Sequence, residues 1–193
     1  MDLGATANKE LVGNLVNYIA NKCKPLYQTK LLKLLYLIDE EAVKEKGTPI
    51  TWLEYNIWKK GPVSKEIYFS KVDHCNSFGD FFDFKQIERI NKTNSYLVVP
   101  NKEVDLMEFS KSDLRIIDRI LDEHGEKTSE ELVQLTHGKN TLWYKLKQEY
   151  NIIFSEHNKT SNKIIDFKHL IQDDNMKKLA YYISQDNLQS RTI

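Results

Sequence analysis

Two short clusters in this 193-residue chain carry residue types suited to binding or catalysis. They are Trp58-Lys59-Lys60-Gly61-Pro62-Val63, and Thr136-His137 followed by Trp143. Lys59 and Lys60 ahead of a glycine can meet a phosphate, although two lysines alone are a weak phosphate signal. Chemistry on a nucleotide near Lys59, Lys60 and His137 would further require an acid and a base to converge in one pocket. Trp58 and Trp143 suggest protein recognition instead, because buried aromatics anchor interfaces. Plainer roles compete with these. Trp58 could cover a core edge, Gly61-Pro62 could redirect the chain from strand to helix, and His137 could donate to a carbonyl at a helix C-terminus.

Other chemistry finds little footing. The chain has no Gly-rich phosphate loop, no nucleophile elbow and no HExxH helix. Asp73-His74-Cys75 could offer metal ligands, but a closed zinc site needs about four donors and no second Cys/His pair lies at ligand spacing. The expectation is therefore no metal and no cofactor. Cys23 reads as a small buried apolar residue, and Glu40, Glu41 and Glu45 as a solvated helix face. Lysine plus arginine equals aspartate plus glutamate at 28 each, so no global field favours nucleic acid or an anionic membrane. Two isolated cysteines, and an N-terminus with neither a basic nor an apolar leader segment, point to the cytoplasm.

The elements that must hold these clusters are organised around Leu31–Ile38. Leu31, Leu34, Leu35, Ile38 and Ala42 share one helical face, and Leu32, Tyr36 and Val43 add a second. A helix apolar around most of its girth is buried inside a domain. Asp39-Glu40-Glu41 stop the run far short of the roughly 20 apolar residues a membrane span needs. Thr29 is the expected cap of this helix and Gly47 its stop. An earlier helix over 8–22 is capped by Asn8. Alternation over 51–58 predicts a strand with Leu53, Tyr55 and Ile57 on one side. Lys59-Lys60-Gly61-Pro62 is a turn, and Ser64 caps a short helix carrying Ile67, Tyr68 and Val72.

Over 73–108 the aromatic residues Phe78, Phe81, Phe82 and Phe84 read as core or lid. Ile87–Ile90 and Tyr96–Val99 form a hairpin that ends at Pro100 and that the 51–58 strand could join. Helices return at Phe109, with Ser110 or Ser112, Thr128 and Thr141 as caps and Glu131 completing a capping box with Thr128. Asn158–Lys163 is a polar loop. Asp166 or Asp173 opens the terminal helical segments, and Gln185–Ile193 frays. The fold class expected is mainly α (α+β): one helical domain over 1–193 around a buried central helix, with a small antiparallel sheet or hairpin.

With those elements placed, the chain resembles the SocA-like, or Panacea, antitoxin family of phage-associated proteins. Leu31-Leu32-Lys33-Leu34-Leu35-Tyr36 is similar to its LxKLLY segment, and Gly47-Thr48-Pro49-Ile50 to its Gxpi element. Trp58-Lys59-Lys60-Gly61-Pro62-Val63 resembles WxxGPV. Asp118, Gly125, Ser129-Glu130-Glu131-Leu132, Leu135-Thr136-His137 and Trp143 then follow the family's later progression in order. The likeness covers about residues 10–150. The 73–108 stretch is longer and more aromatic than the family pattern, and 151–193 reads as a helical extension outside it.

That resemblance implies an antitoxin that neutralises a cognate protein toxin by direct binding, with a protease as a second partner where the antitoxin acts as a proteolytic adaptor. It implies no catalysis. On this reading Trp58, Lys59, Lys60, Gly61, Pro62, Val63, His137 and Trp143 are the partner-binding residues. The alternatives are a general interaction module without a toxin, or an enzyme acting on nucleotides. The sequence leaves the oligomeric state open.

Overall fold

The computed structural model describes residues 7–72, 76–88 and 94–190. The N-terminal Met1–Ala5, the Asp73-His74-Cys75 ligand candidates, Ile90 and most of the 91–95 connector lie outside them. Helix α1 (Lys9–Lys22) starts where Asn8 accepts hydrogen bonds from the backbone N–H groups of Glu10 and Leu11. It buries Val12, Leu15, Val16 and Ile19. Asn17, also buried, donates from Nδ2 to the carbonyls of Phe81 and Lys102, both at 2.9 Å, and so ties α1 to the segment beyond.

Helix α2 (Gln28–Lys46) is the hub, packing against the helices at Lys111–His124, Ser129–His137 and Asn175–Ser190 and against two hairpins. Leu31, Leu34, Leu35, Ile38, Ala42 and Val43 are all fully buried. The helix stops at Gly47, whose φ of 83° is left-handed. A Cβ there would stand 2.7 Å from the Lys177 backbone, so glycine also admits the terminal helix. The expected Thr29 cap is corrected. The helix begins two residues earlier, after Tyr27, with no side-chain cap, and Gln28 instead donates to the Tyr68 carbonyl at 2.9 Å.

Asp39 departs further from expectation. It is wholly buried, and its carboxylate accepts from Ile50 N–H, Thr51 N–H, the Thr51 hydroxyl and the Tyr55 hydroxyl. Burial pushes this carboxyl up, and the four donors pull it back. Tyr36, Tyr55 and Phe167 surround the site with ring centroids 5.4–5.8 Å apart. Asp39 thus pins the corner at 50–55, where Trp52 takes a φ of 56° that bulky residues seldom adopt. The left-handed residue explains why the predicted 51–58 strand shrinks to β1 (Asn56–Trp58).

β1 pairs antiparallel with β2 (Gly61–Val63), Trp58 facing Gly61 across a Lys59-Lys60 turn. Pro62 therefore lies in a returning strand and not only in a turn. The polar 158–163 loop runs beside this hairpin: Ile57 N–H donates to the Lys163 carbonyl at 2.9 Å and Lys59 N–H to that of Lys159 at 2.8 Å. Helix α3 (Lys65–Phe69) follows Ser64, whose hydroxyl makes no cap bond, and ends before Val72.

The second hairpin, β3 (Phe82–Glu88) with β4 (Asn94–Pro100), is a separate sheet that β1 does not join. It is anchored instead where Val98 N–H meets the Leu26 carbonyl at 2.9 Å. Phe78, Phe81 and Phe82 are core residues.

Helix α4 (Lys111–His124) carries a Ser110–Asp113 capping box, and α5 (Ser129–His137) the expected Thr128–Glu131 box. Thr141 caps α6 (Leu142–Glu149). Glu41 and Glu45 meet Arg119 at 2.9 Å each, tying the charged edge of α2 to α4. Helix α7 (Asn175–Ser190) is initiated by Asp174, not Asp173, which accepts from Met176 and Lys177 N–H. It runs on to Ser190, through the described part of the stretch expected to fray; residues 191–193 lie outside the described ones. The architecture is mainly helical with two small antiparallel hairpins. Among the described residues no helix is long and apolar enough to cross a membrane, and no group of three or more His, Cys, Asp or Glu is placed to hold a metal ion.

Candidate functional site

The lone polar residue in the apolar run of α2 organises the site. Lys33 is 2% exposed, and its Nζ donates to the Pro62 carbonyl at 2.6 Å. Burial pushes the amine down from an ordinary 10.5 to about 7. Gly61, at φ 96°, sits over this contact. A Cβ on Gly61 would lie 3.1 Å from both Lys33 Nζ and Thr136 Oγ1. Thr136 in turn donates to the Leu132 carbonyl at 2.8 Å. Helix α2, the β1–β2 hairpin and α5 therefore meet at a single junction with no room for a side chain at its centre.

A second link lies beside it. Trp143 Nε1 donates to the Trp58 carbonyl at 3.1 Å, and the His137 ring stands edge-on to Trp143 with centroids 5.5 Å apart. His137 Nδ1 contacts the Val133 carbonyl one turn back, the helix-end role that the spacing allowed. The Trp58 ring is half-buried and edge-on to Tyr68 at 4.9 Å. Its Nε1 is buried without an acceptor among the described residues.

The structure thus brings both sequence clusters together but divides their members. Trp58, Lys59, Lys60 and His137 reach the surface. Gly61, Pro62, Val63 and Trp143 are buried, Trp143 at 3% exposure, so those four position the face and do not form most of its contact area.

That face is a groove with two lobes sharing Thr29, Lys60 and Tyr68. The apolar lobe, of about 480 Å³, is walled by Leu32, Trp58, Val63 and Tyr68. Lys33, Lys59, Lys60 and Lys159 line it against one carboxylate, Glu156, which pairs with Lys59 and, at 3.7 Å, with Lys159. The polar lobe, of about 600 Å³, includes His137, Glu130 and Tyr96. Lys71 lies on its wall, 3.7 Å from the Tyr68 ring centre. Lys59 lines only the apolar lobe and His137 only the polar one, so the trio considered for nucleotide chemistry is split between them.

Sequence reasoning missed Lys33, Asp39 and Tyr68 as organising residues. Asp39 stands four residues after Leu35 and four before Val43, inside the apolar stripe. Lys33 interrupts a helix expected to be buried all round. Periodicity alone could have marked both as buried and therefore partnered. Tyr68 carries no such signal, because its place depends on where the hairpin folds back.

Comparison with known families finds one match, described as "Antitoxin SocA-like, Panacea domain", over residues 31–144. No curated protein and no solved structure matches the chain. The match spans more than half of the chain, and its segment contains Lys33, the 58–63 hairpin, Thr136, His137 and Trp143. The chain belongs to the SocA-like Panacea family of antitoxin-like domains.

Proposed function

We propose that the chain is a cytoplasmic antitoxin that neutralises a protein toxin by stoichiometric binding, without catalysis of its own. The binding face is the two-lobed groove rimmed by Trp58, Lys59, Lys60, Tyr68 and His137. What supports this reading is family membership together with one observation: three of the segments quoted for the family likeness, those at 31–36, 58–63 and 129–137, contribute residues to the wall of that groove. A half-buried tryptophan beside a tyrosine suits an interface anchor, and the lysines would steer an acidic partner surface. Neutralisation by blocking the toxin, or by presenting it to a protease, are both compatible with such a face.

Co-expression with the adjacent gene's product tests the proposal. The expected result is toxicity from that product alone, rescue by the wild-type chain, and loss of rescue with Trp58→Ala/Lys60→Glu at unchanged chain abundance. A neighbour that is harmless alone removes the reading. A pull-down that then returns a housekeeping protein would favour a general interaction module.

A further inference from the structure

Two side chains that line the apolar lobe, Lys33 and Trp58, carry buried hydrogen-bond donors that the described residues leave incompletely satisfied. Lys33 Nζ has the Pro62 carbonyl as its one acceptor, and Trp58 Nε1 has none. The two lie on the same side of the hairpin. Trp58 and Gly61 are cross-strand partners, whose side-chain directions share a face, and Lys33 Nζ occupies the space toward which a Gly61 Cβ would point. Four lysines line the lobe against one carboxylate, already shared by Lys59 and Lys159. Thr29, in the first turn of α2, adds the positive end of a 19-residue helix. A volume of about 480 Å³ is in the range of small-ligand pockets.

We propose that this lobe binds a carboxylate carried on an apolar or aromatic body, with Lys33 Nζ and Trp58 Nε1 each taking an oxygen. The body packs against Leu32, Val63 and Tyr68. A carboxylate supplies the counter-charge that the fold withholds from Lys33, and its two oxygens match two donors. No arginine lines the lobe to clasp a phosphate in a bidentate fork. The inference rests on the reading of this groove as a partner-binding face. It names the chemistry the partner presents there, either a chain end or an acidic side chain flanked by apolar residues.

Calorimetric titration of the full chain separates these cases. The probes are N-acetylphenylalanine, its C-terminal amide, acetyl-aspartyl-phenylalaninamide and inorganic phosphate. At least one of the two acids should bind about tenfold tighter than the uncharged amide, the margin a charge-assisted hydrogen bond confers. The tighter acid identifies chain end or side chain. Lys33→Met should abolish the preference while keeping the fold, checked by its melting temperature, and Trp58→Phe should weaken it several-fold. Equal binding of acid and amide, a preference that survives Lys33→Met, or phosphate binding as tightly as the acids would overturn the proposal. A chain that selects the acid through Lys33 yet rescues no toxin keeps this site and loses the antitoxin reading, and rescue without acid selection does the reverse.

Discussion

Lys33 Nζ and the Pro62 carbonyl oxygen, 29 residues apart in sequence, meet at 2.6 Å in the interior, where burial alone shifts the amine. A buried lysine in this state leaves a signature in the pH dependence of stability. Folded, the amine titrates near 7; unfolded, it returns to 10.5. The folded value is the depressed one, so the unfolded chain binds more protons between pH 7 and 10.5. The associated stability is full above 10.5 and is lost as pH falls toward 7. Lys33→Met removes the titrating group. It should be more stable than wild type at pH 7, by on the order of 1 kcal/mol or more after the lost hydrogen bond is counted. That advantage should shrink by pH 10, as read from urea midpoints at the two pH values. A constant difference would contradict it.

Gly61→Val tests the same junction from the other side. The substitution meets Lys33 Nζ and Thr136 Oγ1 at 3.1 Å and places a β-branched residue at φ 96°. A loss of about 2 kcal/mol or more is expected, visible as a lower melting temperature. Gly61→Ala should fall between valine and wild type.

Asp39→Ala strands four donors at once: Ile50 N–H, Thr51 N–H, and the hydroxyls of Thr51 and Tyr55. Each buried donor without an acceptor costs about 1–3 kcal/mol, partly offset by relaxation, so a total near 4 kcal/mol is expected. Asp39→Asn keeps the volume and one acceptor oxygen and should cost less. Equal denaturant midpoints for wild type and the alanine variant would refute the structural role.

Trp58 and Trp143 should separate cleanly. Trp143→Ala empties a buried site and removes the hydrogen bond to the Trp58 carbonyl, costing about 3–5 kcal/mol. Trp58→Ala removes a half-buried ring and should cost less than half as much, while abolishing rescue in the co-expression assay. A Trp58→Ala chain that melts as early as Trp143→Ala would make Trp58 a core residue.

The helices were legible because their signals are local. Asn8, Ser110, Thr128 and Thr141 each cap the helix that the apolar spacing predicted. The 51–58 strand was over-read because alternation cannot reveal that Trp52 turns left-handed, a conformation held by Asp39 from another element. The two sequence clusters were found, but their division into buried and open members follows from how the hairpin folds onto α2. That relationship has no spacing in the chain. Lys33 and Asp39 stand within the apolar pattern of α2, but their partners, Pro62 and the corner at 50–55, lie on segments that no spacing links to it.

The core also carries a lesson about boundaries. The family match runs over residues 31–144, yet Phe167 packs on Tyr36 and Tyr55, and Tyr181 on Trp52, at centroid distances of 4.9–5.8 Å. Val12, Leu15, Val16 and Ile19, ahead of the matched segment, are equally part of the same apolar cluster. The matched segment is therefore smaller than the packed core. A fragment trimmed to residues 31–144 should lose its cooperative transition, because side chains from both flanking segments complete its core.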